Sequence, residues 1–154
     1  MRTHHTTARV LWLVPMLAAV ACGGEKPARQ TAASAPPAAT AAPRITMATR
    51  NSSGITGSAM LAASGDSTTI TVALHGVAPG QTYASHVHAG GCDKPGAMLI
   101  PLTSVVAGAD SAGTSTTTIA TARLDSARTQ HGALLVQSHL PSGTPAACGD
   151  LPAH

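Results

Sequence analysis

The chain has 154 residues, no Phe, one Trp, one Tyr and only 10% charged residues. Its formal charge of +3 arises near the N-terminus, because from Ile45 onward four basic residues (Arg50, Lys94, Arg123, Arg128) face five aspartates (Asp66, Asp93, Asp110, Asp125, Asp150). That balance leaves no basic stripe, and with almost no aromatic side chains to stack on bases, nucleic-acid binding has little support.

Residues 1–21 have the layout of an export signal. Arg2 and Arg9 precede a short apolar run, residues 10–20, that is too short to span a bilayer comfortably. The run ends Leu17-Ala18-Ala19-Val20-Ala21-Cys22-Gly23. Small residues directly before a cysteine resemble the lipobox of bacterial lipoproteins. The resemblance implies cleavage before Cys22 and lipidation of its thiol and new amino terminus, hence a membrane anchor. Ala19 stands where leucine is commoner, and an ordinary secretory signal cut near Ala21 is the alternative. Three cysteines are an odd number, and lipidating one leaves a pair. Gly23 in place of an aspartate tilts the expectation towards the outer membrane of a cell envelope rather than the inner one. Residues 22–43 are rich in Ala, Pro, Gly and Ser without apolar periodicity. Such a segment buries too little surface to offset its ordering entropy and reads as a flexible tether.

From residue 44 to 154 the pattern is that of an all-β domain. Short strands are expected at Ile45–Thr49 and Ile55–Ala62. Ser67–Leu74 alternates cleanly, with Ile70, Val72 and Leu74 on one face. Gly76-Val77-Ala78-Pro79-Gly80 is a tight connection, and Thr82–His88 is a strand with Tyr83, Ser85 and Val87 facing inward. Residues 89–113 read as a long Gly-rich loop, whose apolar run Met98–Leu102 packs against the barrel. Thr114–Arg123 reads as a Thr-rich strand and Leu124–Thr129 as no more than a helical turn. Gly132–His139 is a last long strand, with Leu135, Gln137 and His139 on one face, followed by a short end strand at Cys148–Leu151. Short strands separated by turns at even spacing indicate an antiparallel sandwich or barrel.

The chemistry-bearing stretch is Ser85-His86-Val87-His88-Ala89-Gly90-Gly91-Cys92. On an extended strand, residues two apart share a face, so His86 and His88 project side by side. Two such imidazoles can hold one metal ion, copper and zinc being suited to imidazole nitrogen. The alternative is a pair of half-exposed strand histidines that bind nothing. His131 falls on the same face as His139, but eight residues apart on a strand is ~26 Å, too far to share an ion. Cys92 needs a partner, and Cys148 is available. A disulfide suits an oxidising compartment, and a thiolate metal ligand is the alternative. Asp93, Asp110 and Asp150 are candidates to orient a ligand imidazole, Asp150 first, against the reading that all three are solvated turn residues.

Taken together, these segments resemble the copper/zinc superoxide dismutase family, and more closely its small, reduced bacterial relatives. The matching pieces are Gly76-Val77-Ala78-Pro79-Gly80, His86-Val87-His88, Cys92, Leu135-Val136-Gln137-Ser138-His139 and Ala147-Cys148-Gly149, in that order over residues 45–152. The resemblance implies an antiparallel Greek-key β sandwich or barrel and a disulfide from Cys92 to Cys148. It also implies copper held by His86, His88 and His139. Gln137 and Ser138 depart from the usual apolar residues before the third histidine. The family's zinc loop carries further histidines, yet no histidine lies between Cys92 and Gln130. The zinc site and the fourth copper ligand are therefore expected to be absent. Pro145 stands where the family has an arginine that attracts superoxide, and Lys94 is the one nearby basic residue that could approach from its loop.

Two functions follow as expectations. The first is an exported, copper-binding, superoxide dismutase-like lipoprotein, whose three-histidine site leaves an open position for superoxide. The second is a non-enzymatic, membrane-tethered β-sandwich module for metal storage or surface contact.

Overall fold

A computed structural model describes residues 42–153, so the expected export signal, the expected lipidation at Cys22 and nearly all of the expected tether lie outside the described residues. The described chain is almost entirely antiparallel β structure, with eight strands and one helix. The strands are β1 (Arg44–Thr49), β2 (Thr56–Ser64), β3 (Ser67–His75), β4 (Thr82–Gly91), β5 (Lys94–Val106), β6 (Ala112–Ala120), β7 (Leu134–His139) and β8 (Pro145–Asp150), and the helix α1 (Thr121–His131) precedes β7.

The ladder runs β5-β4-β7-β8-β1-β2-β3-β6. Strand β3 pairs with β6 rather than with its successor β4, and β4 reaches across to β7. These over-and-back connections are those of a Greek key. The two terminal strands of the ladder approach one another at Thr103 and Thr117. The Thr103 amide donates to Thr117 Oγ1 at 2.7 Å, and Thr117 Oγ1 donates to Thr103 Oγ1 at 3.1 Å. The sheet thus curls into a nearly closed barrel.

The period-2 pattern explains the core. In β3 the buried residues alternate without a break, placing Ile70, Val72 and Leu74 inside. Facing them are Met47, Ala59, Val87, Ile100, Leu134 and Val136, all but sealed from solvent. A core without Phe is filled by Val, Ile, Leu, Met and Ala, of which the β-branched residues pack well on a pleated surface. Tyr83 is the aromatic exception. Its buried hydroxyl accepts the Ala78 amide at 2.8 Å, which secures the 76–80 crossover between β3 and β4.

Three expectations are corrected. Residues 94–106 form a 13-residue strand, β5, rather than a loop. Pro95, Gly96 and Pro101 look like breakers, but β5 sits at an end of the ladder, where proline is tolerated. The Thr-rich strand β6 ends at Ala120, and Thr121–Arg123 already belong to an 11-residue helix. That helix buries only Leu124 and Ala127, so no apolar stripe advertised it. Tertiary bonds start it: the Thr121 amide donates to the Asp66 carbonyl at 2.8 Å, and the Thr68 and Thr121 hydroxyls bond at 2.9 Å. It stops at Gly132, whose φ of 72° suits glycine and whose amide donates to the Arg128 carbonyl. His131 therefore ends a helix and is not on the strand of His139.

Candidate metal centre

Strand β4 faces the barrel interior through Tyr83, Ser85 and Val87, and Val87 is completely buried. His86 and His88 consequently lie on the outer face. Strand β7 runs alongside with His86 opposite Gln137 and His88 opposite Leu135. Leu135, Gln137 and His139 share that outer face, so the register that buries Val136 against Val87 carries His139 to the histidine pair. The serine directly before His139 is accommodated by pairing. Ser138 points inward and shares a buried 2.8 Å hydrogen bond with Ser85 across the ladder, which satisfies both hydroxyls.

The three imidazoles form one cluster. Ring centroids are 5.8 Å apart for His86–His88, 5.2 Å for His86–His139 and 5.7 Å for His88–His139. One nitrogen from each ring lies within 4.8 Å of the others. Three points so spaced fit within ~2.8 Å of a common centre, so shifts of ~0.7 Å bring all three to the ~2.0–2.1 Å of a metal–imidazole bond.

Hydrogen bonding sets which nitrogens are available. His88 Nδ1 lies 3.1 Å from the Gly96 carbonyl, and His139 Nδ1 lies 3.0 Å from the Gly143 carbonyl. A carbonyl only accepts, so each Nδ1 carries the proton and each Nε2 presents a lone pair. Those two Nε2 atoms, with Nδ1 of His86, are the buried side-chain nitrogens without a hydrogen-bond partner among the described residues. Buried polar atoms are normally satisfied, and three such nitrogens in one cluster suit a cation. The three-histidine group could therefore hold a metal ion.

The groups that orient His88 and His139 are backbone carbonyls. Asp150, the preferred candidate from sequence, accepts the Cys92 amide through Oδ1 at 2.6 Å. Asp110 caps its own turn through the Ala112 amide, and Asp93 is exposed in the β4–β5 turn. Gly143, with φ of 88°, lies in the β7–β8 hairpin four residues after His139. Gly96 is delivered by β5, a strand that its own Pro and Gly residues mask in the sequence. Cys92 and Cys148 form a disulfide with Cα atoms 5.8 Å apart. Cys148 lies opposite Gln137, which in turn lies opposite His86, so the bridge and the histidines share one sheet face.

The open cavity over the histidines is lined by Met98, Leu140 and Pro141 along with the three rings. Met98 is 55% exposed rather than packed in a loop core. Lys94 opens β5, is exposed, and does not line this cavity.

The His86 imidazole is held below the ordinary histidine range, first by burial and then by its neighbours His139 and His88. A histidine depressed in the folded state takes up its proton more readily when unfolded. Its contribution to stability is thus complete above the unfolded value of about 6.5 and is lost as pH falls through the folded one. Metal-free protein is expected to melt at lower temperature at pH 5 than at pH 7.5, with the slope reduced in His86→Ala. Thermal melts followed by circular dichroism check this.

No family model matches the chain, and a search of the curated proteins finds no match.

Proposed function

We propose that the protein is an exported, copper-binding lipoprotein of superoxide dismutase-like type, with His86, His88 and His139 as the ligands. The observation that carries this reading is the convergence of three unpartnered imidazole nitrogens, two of them fixed as acceptors by backbone carbonyls. All-imidazole donor sets suit copper and zinc, and a three-coordinate arrangement leaves a position open. The order of motifs along the chain, which resembles the superoxide dismutase family, favours copper. The alternating strands keep the chelate rigid: Val87 and Val136 anchor the inner face while the rings stand on the outer one. Gly96 and Gly143 hold the tautomers, so the rings need little reorganisation to bind.

Bound copper would supply one-electron chemistry, the sum being two superoxide ions and two protons converted to dioxygen and hydrogen peroxide. The open cavity gives a small anion access to the centre. The anchor at Cys22 and the tether of residues 22–43 would hold the domain at the outer membrane surface of a cell envelope.

One observation favours a second reading, metal storage or delivery without turnover. The cavity has no lysine or arginine among its lining residues to draw in an anion. Superoxide consumption by copper-loaded protein separates the two. Activity that is lost in His139→Ala supports dismutation. Stoichiometric copper without consumption supports storage, and no bound metal overturns both.

A further inference from the structure

We propose that the thioether of Met98 is the fourth donor of the three-histidine centre and makes it selective for Cu(I). The inference rests on that centre binding metal and names the ion and oxidation state it takes.

Met98 is the cross-strand partner of His88 in the β4–β5 ladder. The register is irregular on both sides of this pair, and the irregularity turns Met98, next to the half-buried Leu99, out to the exposed side. Two residues back along β5, Gly96 supplies the carbonyl that fixes the His88 tautomer. One strand thus supplies both the group that turns His88 Nε2 towards the centre and a sulfur beside it. Met98 also lines the same cavity as His86, His88 and His139.

Packing does not account for this methionine. Its side chain is 55% exposed, one of two large apolar side chains so exposed among the described residues. It lies outside the buried core cluster. Exposure costs an apolar side chain free energy that a polar residue on an end strand would avoid. A thioether, in contrast, is a soft, neutral donor on an unbranched stem with three rotatable bonds. It can swing onto an ion without moving the backbone, and it leaves the cavity mouth open when it does not.

Donor softness gives the selectivity. Thioether sulfur favours Cu(I), whereas imidazole alone also accepts Zn(II) and Cu(II). Three neutral imidazoles and one neutral sulfur add no negative charge, which disfavours a divalent ion relative to Cu(I). A sulfur that releases easily would let the site pass Cu(I) on or open a position to a small oxidant.

The test compares the full exported chain with its Met98→Leu variant, which keeps an apolar side chain of similar volume and removes the sulfur. Cu(I) affinity is measured anaerobically against a chromophoric Cu(I) chelator, and Zn(II) affinity against a zinc dye. Met98→Leu is expected to weaken Cu(I) by ~10-fold or more, the lower end of what losing even an outer-shell partner costs, with Zn(II) affinity unchanged. Copper-edge X-ray absorption is expected to show a sulfur neighbour in the wild type that Met98→Leu lacks. Unchanged Cu(I) affinity in Met98→Leu overturns the role of Met98 and leaves the three-histidine centre standing. Equal weakening of Cu(I) and Zn(II) assigns Met98 a structural part and also overturns it. Failure of the wild type to bind either ion, as for His86→Ala, removes the centre itself.

Discussion

If the proposed function holds, copper bound to the protein is expected to fall from close to one ion per chain to background in either His86→Ala or His139→Ala. The two residues lie on different strands, and neither variant leaves more than two converging nitrogens. The unpartnered nitrogens are Nδ1 of His86 and Nε2 of His139, and each variant removes one of them. Metal analysis by mass spectrometry after desalting reads the result directly. Copper equal to wild type in both variants would end the metal-centre reading. A thermal shift gives an independent measure, because a ligand at ~100 times its dissociation constant stabilises by ~2.7 kcal/mol. Copper should raise the melting temperature of the wild type and leave the variants where they are. The metal-free variants should themselves fold, since the histidines stand on the outer face, away from the core cluster.

The second large effect is expected from the disulfide. Cys92 and Cys148 are separated by 56 positions, and closing a loop of that size removes ~4 kcal/mol of unfolded-state entropy on the chain-entropy model. Small domains carry only ~5–15 kcal/mol of net stability, so this is a large share. Cys92→Ala/Cys148→Ala, or wild type kept under reductant, should melt ~15 °C or more below the oxidised protein. A metal effect should accompany the loss. The bridge and the Asp150–Cys92 bond tie the β4–β5 turn to β8, and Gly96, the partner of His88, lies just past that turn. Freeing the turn loosens the His88 tautomer, so copper affinity should drop as well. Melting curves with and without reductant, each with and without copper, measure both effects. A melting temperature indifferent to reductant would show that the ladder alone holds β4 to β8.

Much of the fold was legible because alternation is a local property. Ile70, Val72 and Leu74 declare the inner face of β3, and Tyr83, Ser85 and Val87 declare that of β4. The pattern failed where local rules met a favourable place in the sheet. Pro95 and Pro101 break central strands, yet β5 tolerates them at a ladder end. Thr121–Arg123 have β-favouring neighbours, yet Leu124 and Ala127 find the barrel end and a helix forms instead. Helix α1 draws its stability from packing and terminal bonds to β2–β3 and not from its own periodicity.

The candidate site divides in the same way. By itself the sequence determined that His86 and His88 share a face, because the two-residue spacing of a strand leaves no other choice. It also determined that His139 shares a face with Leu135 and Gln137, and that Cys92 and Cys148 were available to pair. Only the tertiary structure decided that these faces meet, through the register that sets His86 against Gln137 and His88 against Leu135. It alone decided the tautomers, since the Gly96 and Gly143 carbonyls act through backbone geometry that no side chain advertises. It set the Asp150 carboxylate on the Cys92 amide. And it set Met98 beside His88, because cross-strand partnership depends on where a neighbouring strand turns and pairs, which the spacing of residues within one strand does not encode.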